Sequence, residues 1–237
     1  MQAVKLARGQ IRELQSHLSE TPLENYELLW VLESCHCRWI IIKPAVFGLG
    51  TEPWSAGLMI IQRQCIWLRL ENEILLESLL AELPEWDLYR FYTASANTAD
   101  MLSRWFPRGQ LSQSWLWVRN LTKTWRKRFP VSVQVNPDPD ASGGRIFAVS
   151  DQDGRAIAFC TSQQVVAPWQ EVIQWSLQAE KDLVYWTEQA FGAVTAALLE
   201  DGSPVVVRVE DEELTGVLEP LGYREFSQLF YYVAARE

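Results

Sequence analysis

The feature that most constrains this chain is an order of elements that occurs twice. From residue 65 the sequence reads strand, helix, strand, helix, strand: CIWLRLE, ILLESLLAEL (74–83, stopped by Pro84), DLYRFYTA (87–94), NTADMLSRWF (97–106, with Asn97 or Thr98 as cap) and SQSWLWVRN (112–120). From residue 171 it reads the same: EVIQWSL, TEQAFGAVTAALL (187–199), PVVVRVE (204–210), DEELTGVLEPL (211–221, with Asp211 as cap) and FSQLFYYVAA (226–235). Corresponding strands lie roughly 105–115 residues apart, an internal repeat of elements rather than of identities. A strand joined through a helix to a neighbouring strand needs a right-handed crossover and a covered sheet. The expectation is therefore α+β: two lobes, each a mixed β-sheet flanked by helices. The boundaries fall at 1–125 for the first lobe, 126–142 for a linker and 143–237 for the second.

Local signals fill in the rest. Residues 4–19 read as an amphipathic helix with Leu6, Ile11, Leu14 and Leu18 on one side. LLWVLES, RWIIIKP and GLMIIQRQ, within 28–64, read as strands broken by turns. NPDPDASGG (136–144) reads as a turn-rich linker. RIFAVSD and RAIAFCTSQQVV flank Gln152-Asp153-Gly154, a hairpin signal. Gly202 and Gly222 stand just beyond the last two helices, where a left-handed cap is favoured.

Composition narrows the function classes. The chain has 237 residues, 48% hydrophobic and 22% charged, which is globular rather than disordered. A net charge of −9 argues against a general nucleic-acid binder, which needs a basic surface. No apolar run approaches the roughly 18 residues of a membrane span, and the start is too polar for a signal peptide. Cys35, Cys37, Cys65 and Cys160 read as reduced thiols of a cytoplasmic protein. Cys35-His36-Cys37 lacks a second pair to complete a tetrahedral metal site, so no metal is expected. His17 and His36 are the only histidines, and neither supports a hydrolase triad. Cys160, within a strand, reads as a buried thiol.

The second half resembles a GNAT acetyltransferase domain (GCN5-related N-acetyltransferase). The resemblance runs in order through the hairpin RIFAVSD-QDG-RAIAFCTS, the strand EVIQWSL, the helix ending ALLEDG, the strand PVVVRVE and DEELTGVLEPLGYREF, whose Leu221-Gly222-Tyr223 fits the family's Leu-Gly-aromatic turn. It covers about residues 143–237, and the first half resembles a more divergent second lobe. The resemblance implies acyl-CoA binding at a glycine-containing loop between central strand and long helix, where backbone N–H groups and the helix dipole take the pyrophosphate. That loop falls on about Trp186–Phe191 or a few residues earlier, and Gln174, Trp175, Trp186, Thr187 and Glu188 occupy the cofactor positions. This chain has no glycine there before Gly192, and Glu180, Asp182 and Glu188 are acids where phosphates would lie, with Lys181 the lone cation. The tyrosine that protonates the departing thiolate falls on Leu218, and Tyr223 reads as packing. Glu171 falls where some members carry the general base; the plainer reading is a solvated residue at a strand start.

Two functions follow from that resemblance. In one, the chain is a GNAT-like protein without acyl-CoA and without catalysis, kept as a binding or regulatory module for a protein partner. In the other, it is an acyl-CoA-dependent N-acetyltransferase with an atypical acetyl-CoA site and a small-molecule amine as acceptor. The candidate partner surface is Trp105, Trp125, Arg126, Lys127 and Arg128, because Trp and Arg dominate binding hot spots. The plainer reading of RNLTKTWRKRFP is a solvated segment between lobes. Trp115 and Trp117 share a strand face, and both read equally as core.

Overall fold

The computed structural model describes residues 2–33, 43–51, 54, 56–120, 128–139, 143–178, 182–210 and 214–235. Cys35, His36, Cys37, Trp125, Arg126, Lys127 and Asp211 lie outside the described residues. In chain order the elements are β1 (Val4–Lys5), α1 (Arg8–Leu18), α2 (Tyr26–Glu33), β2 (Ala45–Leu49), β3 (Gly57–Gln62), β4 (Cys65–Leu70), α3 (Leu76–Leu80), β5 (Leu88–Thr93), α4 (Ala96–Trp105) and β6 (Gln110–Arg119). They continue with β7 (Ser132–Pro137), β8 (Arg145–Ser150), β9 (Ala156–Val166), β10 (Trp169–Leu177), α5 (Leu183–Glu200), β11 (Val205–Val209), α6 (Thr215–Leu218) and β12 (Arg224–Ala235).

The chain forms two compact units, Met1–Ser114 with Ser227–Glu237, and Trp115–Phe226. In the first, the strands run β1-β2-β3-β4-β5-β12, with the start of β6 beyond β12. The β4–β5 pair is parallel, Cys65 to Trp67 facing Arg90 to Tyr92, and β1 to β4 form an antiparallel meander. Ile66, Leu68 and Phe91 turn to one face and pack on Leu76, Leu79, Met101 and Leu102 of α3 and α4. Trp67 turns to the other face, stacked at 5.0 Å on Tyr92, which meets Tyr231 at 4.9 Å; Trp30 of α2 adjoins Trp67.

In the second unit the order is β11-β10-β9-β8-β7, with the end of β6 against β11. Here β10 and β11 form the parallel pair. Val172, Val205, Val207 and Val209 face the core formed with Phe191, Val194, Leu198, Leu218 and Tyr223 of α5, α6 and the turn beyond. Each unit is thus a mixed sheet packed by helices, the α+β class expected.

Four local expectations are corrected. Of the expected strand LLWVLES, residues 28–33 are helix instead: Leu28, Leu29, Val31 and Leu32 are buried and Trp30 is half-exposed, the stripe of the helix α2. A short apolar run suits either element, and packing decides. The segment set aside as linker contains β7, paired with β8 from Ser132–Ser150 to Pro137–Arg145. The lobe boundaries differ too, because each repeat's last strand leaves its own unit. The end of β6 pairs with β11, from Val205–Arg119 to Val209–Trp115, and β12 pairs with β5, from Phe230–Thr93 to Ala235–Leu88. Finally, the cap of α4 is Ser95, whose Oγ accepts from the Thr98 N–H at 3.2 Å.

Candidate functional site

The geometry that defines a site lies at the carboxyl end of β10. The β10–β11 ladder holds only the pairs Gln170–Val205, Glu171–Val206 and Val172–Val207. Beyond Val172, β10 runs on to Leu177 beside β9, and an irregularity between Val172 and Gln174 sets Ile173 out of register. The α5 helix then starts at Leu183. Parallel strands that part at their carboxyl ends, with a helix beginning there, make the crevice where open α/β sheets take ligands.

The helix begins earlier than expected. Trp186, Thr187 and Glu188 lie inside α5 and not in a loop before it. The residue at the turn is Asp182, with φ 53 and ψ 44, the left-handed region that favours glycine. Its carboxylate makes no cap hydrogen bond to the helix start. The next three residues are exposed and apolar: Leu183, Val184 (74% accessible) and Tyr185. No Lys or Arg occurs in α5. Gly192, the first glycine of this stretch, serves packing: a Cβ there would fall 2.2 Å from the Phe129 ring.

Along β10 the candidates diverge. Glu171 is not solvated; it is 4% exposed, with Arg208 Nε of β11 at 3.9 Å from its Oε1. Both sit on the sheet face opposite the Val172 core, since Glu171 faces Val206 and Arg208 lies two residues on. Gln174 is exposed and its Oε1 accepts from Thr161 Oγ1 at 3.5 Å. Trp175 meets Phe191 edge-on at 5.1 Å, and Trp186 packs against the same core, so the structure brings these two together as packing residues. Arg208 escaped the sequence reading, although one cation within VVVRV was a signal.

Leu218, where the resemblance would put an acid, is fully buried. The Tyr223 hydroxyl shares a 2.7 Å hydrogen bond with Thr195 Oγ1, and Thr195 donates to the Phe191 carbonyl. Burial raises the Tyr223 pKa well above its ordinary value. Cys160 is buried, and burial alone pushes its thiol up to about 12. Trp117 is 5% exposed and Trp115 packs on the same core. Trp105, at the end of α4, is 51% exposed, and Arg128 is exposed. Among the described residues no three His, Cys, Asp or Glu converge on a metal position. No described helix is long and apolar enough to cross a membrane.

Two units, each with mixed strand pairing that includes one parallel pair and each packed by helices, make a tandem α+β fold. Comparison with solved structures gives the fold its name. An acetyltransferase of the GNAT family from Colwellia psychrerythraea superposes with a TM-score of 0.62 at 10% identity, covering 99% of this chain and 100% of that one. A tandem GNAT protein from the clavulanic acid biosynthesis pathway gives 0.59 at 9%, covering 99% and 98%. A GCN5-related N-acetyltransferase from Sphaerobacter thermophilus gives 0.60 at 10%, covering 98% and 95%. No family model and no curated protein matches the sequence. The chain has a two-lobed GNAT-like fold.

Proposed function

We propose that this chain is a GNAT-fold protein whose second lobe has given up the acyl-CoA phosphate grip and that it acts as a binding and regulatory module for a protein partner. The observation that carries this reading is the start of α5. A pyrophosphate there requires close approach to free backbone N–H groups and a positive surround. In place of that, Asp182 puts a side chain and a negative charge at the left-handed turn, and Leu183, Val184 and Tyr185 follow as apolar, exposed residues. Like charges at a helix start repel. The residues present therefore do not fit the cofactor. Leu218, buried, has no proton to give, and Tyr223 spends its hydroxyl on Thr195. The exposed Trp105 is the residue offered to a partner.

Calorimetric titration with acetyl-CoA tests this reading. The expected result is no binding, or a dissociation constant weaker than about 1 mM; by affinity arithmetic 1 mM is only about 4 kcal/mol. A low-micromolar constant overturns it. One observation favours a second reading, an N-acetyltransferase with an atypical cofactor site: the burial of a carboxylate, Glu171, beside the strand pair that opens. Under that reading Glu171 takes the acceptor's amine proton, and Glu171→Gln lowers kcat with little change in KM for acetyl-CoA.

A further inference from the structure

Among the described residues the second unit's sheet ends at β7, which pairs with β8 alone. Which backbone groups face outward follows from the ladder. The Asp138 N–H donates to the Gly144 carbonyl at 2.9 Å, in the same register as the β7–β8 pairs. Hydrogen-bonded pairs alternate along an antiparallel ladder, so Ser132, Gln134 and Asn136 bond inward to β8. Val133, Val135 and Pro137 turn their backbone groups outward. Pro137, with no N–H to offer, stands at one of those outward positions, as prolines of edge strands do.

Natural proteins blunt such an edge with charged side chains. This edge, Ser132-Val-Gln-Val-Asn-Pro137, carries none, and Val135 is 42% exposed. Its flanks are charged with opposite sign: Arg126-Lys127-Arg128 before it, Asp138-Pro139-Asp140 after it. A strand that runs from positive to negative is complementary to itself when turned antiparallel.

We propose that β7 is a self-association edge, joining a second copy of this chain antiparallel about a two-fold axis at Gln134. In that register Val133 faces Val135 of the second copy, and these two positions exchange about four backbone hydrogen bonds across the axis. Both valines lie on the α5 face, since Val133 packs on the core and Val135 faces Phe147. The pairing therefore brings β-branched side chains together on that face. Gln134, exposed, meets its own counterpart directly.

Sedimentation equilibrium of the full chain tests this, with Gln134→Lys, Gln134→Glu and their equimolar mixture. Like charges set directly opposite destabilise the pair, so each variant alone raises the dimer dissociation constant by up to about fivefold. The mixture, with Lys facing Glu, restores association. A second measurement needs no variant. Val133 and Val135 amides exchange slowly with solvent deuterium at high protein concentration and quickly on dilution, while Gln134 and Asn136 stay protected by β8 throughout. A monomer at all concentrations, dimers indifferent to both charges, a mixture that stays apart, or Val133 and Val135 amides that exchange fast at every concentration would each overturn the proposal.

Discussion

Two helices of the second unit end on the same device, and the pair makes a controlled experiment. After α5, the Gly202 N–H donates to Leu199 O and the Ser203 N–H to Leu198 O, both at 3.0 Å. After α6, the Gly222 N–H donates to Glu219 O at 2.8 Å and the Tyr223 N–H to Leu218 O at 3.1 Å. Both glycines are left-handed, with φ +78 and +79, so both closures are the double hydrogen bond of a Schellman cap. Alanine in this region costs about 1 kcal/mol at either place. Their surroundings differ. A Cβ at Gly202 meets nothing within 4 Å, whereas at Gly222 it falls 3.0 Å from Arg119 Cζ and 3.2 Å from Nε. The partly buried guanidinium must then give by a few tenths of an ångström, which adds about 1 kcal/mol, the low end of an overpacking cost.

The expected losses are therefore about 1 kcal/mol for Gly202→Ala and about 2 kcal/mol for Gly222→Ala. Urea unfolding followed by tryptophan fluorescence measures both. In an Arg119→Ala background the clash has no partner, and the two substitutions converge to about 1 kcal/mol each. Equal losses in the wild-type background would refute the reasoning, as would a difference that survives removal of Arg119.

Other consequences are simpler. Cys160, its thiol pushed up to about 12 by burial, resists alkylation at pH 8 in the native protein and reacts on unfolding, while the half-exposed Cys65 reacts first; peptide mapping reads both. Tyr223 is held neutral above its ordinary pKa of 10.0, so the folded state keeps a proton that the unfolded state releases. Its contribution is level below pH 10 and is lost as pH rises beyond it, and Tyr223→Phe flattens that alkaline decline while costing about 1 kcal/mol at neutral pH for the lost hydrogen bond to Thr195.

What the sequence made legible were the elements whose local pattern and tertiary role agree. In β5, LYRFYT alternates as it should, with Tyr89 and Phe91 buried. The valines of β11 form a buried run between β6 and β10. Gly202 and Gly222 were recognisable as helix ends because the left-handed caps need them. The exchange of the last strands was not legible. In β6 and β12 the pattern specifies a half-buried strand but not which neighbour it joins, and neighbour choice is a long-range property.

The candidate site was half legible for a reason that bears on function. The absence of glycine and the abundance of acid before α5 could be read directly. Where the helix begins could not, because Val184-Tyr185-Trp186 is a run of residues that favour strands, and Thr187 looks like a cap. Packing overrides that preference: Trp186 packs on the core beneath α5, and its N–H bonds to Asp182 O, drawing the first turn into the helix. The result leaves Leu183, Val184 and Tyr185 facing solvent at the crevice mouth. A turn selected to hold phosphate would place glycine at φ 53 and leave the helix start open. Here an aspartate stands at the first and exposed apolar residues stand at the second, the arrangement on which the proposed loss of the phosphate grip rests.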